Sequence, residues 1–429
     1  WHGEFTVRGV RHEFVVAGAT DDFDGQRLLD DTRRICEAQI AFWHGRRKVP
    51  FDHYVFMLNV VDDGYGGLEH RQSTALICGR RDLPRTGRAL NKDSYTTLLG
   101  LISHEYFHTW NVKRLKPVEF APYDYTQENF TRMLWFFEGF TSYYDDQFLL
   151  RTGLIDAPTY LKLLSKTVNQ VLATPGRLAY SVAQASFDAW TRYYRQDENT
   201  ANATVSYYTK GSLVALALDL TLRQLPATVE GGQSPNLDGV MLRLWKLGRA
   251  ITQADVAQAL ADEAGQVPPA QVFSAPASLD VLGRWRALLD AWTEGCDDLP
   301  LPALLRSQGV DWHTQAGSLP QRLGARIGER SGAQQVLAVM HGSVAEQMGL
   351  STGDELLALG EWRIKRADDL AQWHDASRAQ PLLVSRDQRV LTLTLPVLSA
   401  TGGDTMVLTV ANTQVDAQAL TRRAAWLKA

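Results

Sequence analysis

The sequence predicts an α+β protein, and three observations carry that prediction. Strand-like segments come first, helical segments follow, and the composition changes near Cys296 to short strands separated by turns. At 429 residues the chain exceeds one ordinary core, so two or three domains are expected. Apolar residues make up 45% and charged residues 21%, which is a globular rather than a disordered composition.

The elements follow in chain order. "EFTVRGVRHEFVVAG" is rich in Val and Phe and closes on Gly18, so it reads as a ribbon of strands. Such a ribbon needs a larger sheet beside it, and residues 1–20 are expected to be the last strands of a missing N-terminal β domain. Residues 26–45 repeat apolar side chains at helical spacing and stop at Gly45. "HYVFMLNVV" is a buried strand running into the turn "DDGYGG". Asp93 or Ser94 can cap a helix that carries Leu98, Leu101 and Ile102 into "SHEYFHTWNVKR". A second helix holds Met133, Leu134, Phe137, Phe140, Tyr144 and Phe148, and more are expected at 159–172, 207–224, 237–247, 253–263 and 277–293. Pro and Gly around 301–318 suggest a linker. Beyond it "ARIGE", "QQVLAVM", "DELLALG", "PLLVSRD" and "VLTLTLP" are short strands, with helices at "SVAEQMGL" and "ADDLAQWHDAS", forming a compact unit over 319–398. Residues 399–429 read as a final strand and helix.

Bulk properties exclude some functions. A net charge of −4 gives no broad basic field, so no nucleic-acid partner is expected. No apolar run reaches transmembrane length, and no membrane association is expected. Cys36, Cys78 and Cys296 are odd in number and far apart, which fits neither a disulfide framework nor a metal clip. That favours a reducing, cytoplasmic location. The first residue is not Met, so the chain is expected to be a fragment or processed form, with a periplasmic location if a signal peptide was removed upstream.

The chemistry concentrates in "SHEYFHTWNVKR". Helix positions i and i+4 share a face, about 6 Å apart at Cβ, so His104 and His108 can face one metal ion. Glu105 sits roughly 100° further round, beside the ion without binding it, where a base for a metal-activated water belongs. Solvated histidines are the plain alternative. A third ligand is needed, and Glu138 stands out because "MLWFFEGFTSYY" embeds it among aromatics, where a lone carboxylate is paired or metal-bound. Asp145, two turns beyond Glu138, can accept the free ring N–H of His104 or His108, while Asp146 is expected to face solvent.

These residues resemble a known family. His104-Glu105-x-x-His108 followed by Glu138 in "FEGFTSYY" is similar to the gluzincin metallopeptidases. "HEYFHTWNVKRLKP", with "GGLEH" before it and "SYYTKGS" after it, resembles the glycyl aminopeptidase family. The resemblance implies a thermolysin-like, mainly helical catalytic domain over 21–300 with a small β-sheet. It also implies a PDZ domain over 319–398, sandwich-like with two helices.

The resemblance further implies one Zn²⁺ per chain held by His104, His108 and Glu138, with Glu105 as general base. Gly66-Gly67-Leu68-Glu69-His70 resembles an exopeptidase motif. Glu69 would anchor the substrate's ammonium, and Gly66 and Gly67 would let a backbone edge approach the peptide. His70 departs from the Asn of the wider aminopeptidase group. Tyr208, in "YTKG", would steady the oxyanion, with Tyr207 as the alternative. The 29 residues between His108 and Glu138 exceed the wider group's spacing, and the insertion "TWNVKRLKPVEFAPYDYTQEN" (residues 109–129) is expected to loop out near the site. Lys113 and Arg114 are a solvated basic pair or partners of a substrate carboxylate. "RLGARI" occupies the place of a carboxylate-binding loop and its strand, with Leu323, Gly324 and Ala325 as candidate contacts for a C-terminal peptide. A module that only buttresses the catalytic domain is the alternative.

The implied activity is removal of N-terminal Gly, then Ala, from peptides with a free N-terminus. Two other readings compete: an endopeptidase recruiting substrates through the PDZ domain, and a catalytically silent peptide-binding protein.

Overall fold

The computed structural model describes residues 1–226, 234–265, 267–269, 278–399, 403–411 and 415–428. Strands β1 (His2–Val7), β2 (Val10–Ala17), β3 (His53–Val61), β4 (Gly66–Glu69) and β5 (Ser73–Gly79) form one sheet in the order β1-β2-β3-β5-β4. The β2–β3 and β3–β5 pairings are parallel, whereas β1–β2 and β4–β5 are antiparallel. The ribbon set apart as residues 1–20 thus shares a sheet with the segment that follows it. Alternation puts Phe14, Val16, Phe56, Leu58, Val60, Leu76 and Cys78 on the buried face, and each large apolar side chain stabilises the fold by about 1.5–3 kcal/mol. Helix α1 (Gly25–His44) is capped by Asp24, whose side chain accepts from the Arg27 amide. Asn91, rather than Asp93 or Ser94, caps α2 (Lys92–Phe107), accepting from the Ser94 amide.

The helical part continues with α3 (Leu134–Phe137), α4 (Gly139–Arg151), α5 (Ala157–Leu172), α6 (Val182–Phe187), α7 (Thr200–Ala203) and α8 (Thr209–Leu222). It ends with α9 (Leu237–Lys246), α10 (Gln253–Glu263) and α11 (Val281–Thr293). The helix expected at 277–293 thus starts at Val281, and Ala277 lies outside the described residues. Another difference is a break at Glu138, which divides the second expected helix into α3 and α4. The break lets α4 meet α8 at Gly139 and Gly211. A Cβ on Gly139 would fall 2.5 Å from the Gly211 carbonyl carbon, and one on Gly211 would fall 2.6 Å from the Trp135 oxygen. Two bare glycines therefore set how closely these helices cross. Asp219 of α8 fastens the crossing: it accepts from the Tyr143 hydroxyl at 2.6 Å, the Leu237 amide at 2.8 Å and Arg223 at 2.9 Å.

The expected linker is not one. Within 301–318 lie α12 (Leu301–Arg306), with a proline in its first turn, and β6 (Val310–Gln315). β6 pairs antiparallel with β13 (Thr405–Val410), and Asn169 of α5 clasps Met406 through both its amide and its carbonyl. Helix α16 (Ala417–Trp426) buries Trp426 in the same core. Residues 400–402, 412–414 and 429 of this C-terminal segment lie outside the described residues.

Between β6 and β13 sits a second unit with its own core, from Leu319 to Leu398. Its strands β7 (Ala325–Arg330), β8 (Ala333–Val339), β9 (Glu355–Leu359), β10 (Trp362–Arg363), β11 (Gln380–Arg386) and β12 (Arg389–Leu395) form one sheet, ordered β12-β11-β9-β8-β7 with β10 beside β9. Short helices α13 (Leu319–Leu323), α14 (Val344–Gln347) and α15 (Asp369–Gln372) complete it. Asn202 of α7 touches this unit, donating to the Val339 carbonyl at 2.9 Å and accepting from the His341 amide at 2.8 Å. The three cysteines are free, and no helix among the described residues is long and apolar enough to cross a membrane.

Candidate metal centre

Helix α2 carries His104 and Glu105 in its last turn and is capped by His108, which brings all three toward the break between α3 and α4. The structure brings His104, His108 and Glu138 together. Their ligand atoms lie within 4.8 Å of one another. The two Nε2 atoms are 3.0 Å apart, and Glu138 Oε2 lies 3.1 Å from that of His108 and 3.4 Å from that of His104. No other group of three or more such residues with metal-binding spacing occurs among the described residues.

The opposite edges of both rings are already committed. His104 Nδ1 lies 3.0 Å from Asp145 Oδ2, and His108 Nδ1 lies 2.7 Å from the Asn111 carbonyl oxygen. A carbonyl oxygen accepts only, so His108 Nδ1 carries the proton; an ionised Asp145 imposes the same tautomer on His104. Both Nε2 atoms then present lone pairs to each other and to a carboxylate. Three converging acceptors, all but buried, repel one another unless a cation lies between them, and a borderline-soft dication with nitrogen and oxygen preference fits that donor set.

The electrostatics show the same demand for positive charge, which a proton on an Nε2 atom can also meet. Burial works against the charged His104 ring, yet its hydrogen bonds to Asp145 and Glu138 hold its pKa well above the ordinary value. Burial likewise works against ionised Glu138, but His108 and His104 keep its carboxyl below the usual range. The pocket draws positive charge.

Around this cluster the other candidates take distinct places. Glu105 is 5% exposed, and its Oε2 has no hydrogen-bond partner; burial raises its pKa, against the pull of His108 and His104. Gly67 of β4 lies directly over it, since a Cβ there would fall 2.2 Å from Glu105 Oε1. The bare glycine therefore admits the general-base candidate, not only a peptide as the sequence suggested, whereas Gly66 faces open space. Alternation along β4 puts Glu69 on the same side as Gly67, facing the site. Tyr208, just before α8, stands with its ring centroid 6.2 Å from that of His104, while Tyr207 is 1% exposed and packed against Tyr193. Burial and the nearby Glu138 push the Tyr208 pKa well up, so its hydroxyl stays a donor. Asp146, expected to face solvent, is half-buried, and burial pushes its carboxyl well above the usual range.

Three features escaped the sequence. Asn111 supplies the main-chain acceptor for His108, and its side-chain amide is anchored to the Phe137 carbonyl and the Thr141 hydroxyl, both at 3.2 Å. Lys113 is neither solvated nor free for a substrate carboxylate: its ammonium lies 2.9 Å from Glu69 Oε1. Arg114 is spent on the Arg71 and Thr109 carbonyls and the face of Phe51. A polar residue just past the helix end was the one available signal for Asn111.

The candidate peptide contacts in the second unit end a helix and begin a strand rather than form a separate loop. Leu323 ends α13 with its side chain in the core, the Gly324 amide returns to Gln321, and Ala325 begins the edge strand β7.

Comparison with known proteins shows what the chain resembles. Residues 97–214 match the model of the M61 glycyl aminopeptidase family. An aminopeptidase N family protein from Idiomarina loihiensis superposes with a TM-score of 0.83 at 33% identity, covering all of this chain and 70% of that one. A mutant of a two-domain M1 zinc metallopeptidase bound to L-tryptophan gives a TM-score of only 0.40 at 15% identity, over 70% of this chain and 52% of that one. No curated protein matches the chain. At the first of those identities, held over that share of both chains, the protein belongs to the aminopeptidase family that the Idiomarina structure represents.

Proposed function

We propose that the protein is a zinc aminopeptidase, with His104, His108 and Glu138 as the ligands. The observation that carries this reading is the convergence of two Nε2 lone pairs and a carboxylate oxygen, each ring locked from behind by Asp145 or Asn111. The ion supplies, when bound, Lewis acidity toward a water and toward the scissile carbonyl. Glu105, unpaired and with a raised pKa, takes a proton from the attacking water and delivers it to the leaving amine. The Tyr208 hydroxyl donates to the oxyanion as charge develops. Glu69 holds the substrate's free ammonium, and that anchoring makes the enzyme cut after the first residue.

A preference for N-terminal Gly, then Ala, follows from the family likeness of residues 97–214. We also read 319–398 as a PDZ domain. The open edge of β7 supports peptide addition there, although the Gly324 amide is engaged within the chain. The decisive experiment is zinc analysis of the purified protein together with hydrolysis of glycine and alanine anilides before and after chelation. Stoichiometric zinc and chelator-sensitive cleavage are expected. An N-acetylated peptide cut as fast as its free-amine counterpart would replace this reading with an endopeptidase.

A further inference from the structure

The amine-binding carboxylate of this site is already occupied by an amine. Glu69 Oε1 lies 2.9 Å from Lys113 Nζ, and both side chains are about four-fifths buried, at 19% and 22% exposed. Lys113 does not arrive there by chance rotation of a surface chain. Its amide donates to the His108 carbonyl at 3.1 Å, and it lies two residues past Asn111, whose carbonyl and side chain are tied to His108, Phe137 and Thr141. The turn that locks one metal-ligand candidate also aims this ammonium at Glu69. A lysine ammonium and a peptide's N-terminal ammonium are the same chemical group, with the same three donors.

Resting on the reading of Glu69 as the ammonium anchor, we infer that Lys113 is a built-in competitor for the substrate's N-terminus. The free ammonium of an incoming peptide displaces it from Glu69. Two ammonium groups brought to this largely buried carboxylate repel one another, so binding of the substrate's amine disfavours the Lys113 contact. Each substrate therefore gains only the difference between its own contact and the one it breaks. A weakly bound amine gains nothing, and a dipeptide or short peptide with further contacts in the cleft pulls the lysine away. Lys113 thus sets the affinity threshold of the site and shields Glu69 when no substrate is present.

The test compares Lys113→Met, Lys113→Gln, Lys113→Arg and Glu69→Gln in the zinc-loaded full chain, with glycine p-nitroanilide and its N-acetylated form. Removing the competing charge should lower KM for the free-amine substrate about threefold to tenfold, with a much smaller change in kcat. Inhibition by glycinamide should tighten by a similar factor, and Lys113→Arg should keep the parent KM. The N-acetylated substrate should respond to none of the Lys113 changes. If Lys113→Met and Lys113→Gln both leave KM unchanged or raise it, while Glu69→Gln abolishes the free-amine preference, the competitor role falls and the anchor stands. If Glu69→Gln keeps that preference, both fall.

Discussion

The two units of this protein each hold a buried carboxylate clamped by arginine, and the clamps differ in what surrounds them. In the large unit, Asp219 is 1% exposed and Arg223 is 8% exposed, and the Tyr143 hydroxyl and Leu237 amide complete the set. In the small unit, Asp354 is fully buried, but Arg386 keeps a third of its side chain in water. The lesson concerns where a polar group is allowed to fail. Loss of the first strands a guanidinium in a dry helix crossing that also positions Tyr208 and Glu138. Loss of the second leaves a guanidinium that water can reclaim.

That contrast can be broken in four places. The largest effect is expected from Glu105→Ala, which should cost about 10²–10⁴-fold in kcat while zinc content and both melting transitions hold. Retained turnover would remove chemistry from the large unit. Asp219→Ala should then destabilise the large unit by about 3–5 kcal/mol, because a buried partner is left uncompensated. Urea unfolding followed by tryptophan fluorescence would measure it. Asp354→Ala should cost only about 1–3 kcal/mol, confined to the small unit, with peptidase activity kept. A drop in activity to match would mean that the units do not fold independently. Asn202→Ala is the mildest, at about 1 kcal/mol or less, since it loses two partly solvated hydrogen bonds; faster proteolytic nicking between the units would report it.

The sequence was informative wherever local period meets unusual chemistry. His104 and His108 follow from helical spacing, Glu138 from a carboxylate stranded among aromatics, and the Asp145 contact from two turns of helix. What stayed hidden depends on main-chain atoms or distant pairings. No side-chain pattern shows that the carbonyl of Asn111 caps the His108 ring, or that Lys113 folds back to Glu69 across the sheet edge. Pro and Gly near 301–318 suggested a linker because they break elements, yet proline also starts helices, and here it starts α12. Nothing in residues 399–429 announces that their strand returns to pair with β6.

That return gives the chain the form of a detour. Gln315 leaves β6 directly opposite Thr405, where β13 begins, so the entrance and exit of the small unit are neighbours on one ribbon. The large unit's core is begun before the detour and finished after it, with Met406, Leu408 and Trp426 joining it. Such a layout lets a whole module be lengthened, exchanged or dropped over evolutionary time without rerouting the peptidase. The small unit is, in that sense, an accessory plugged into a socket two strands wide.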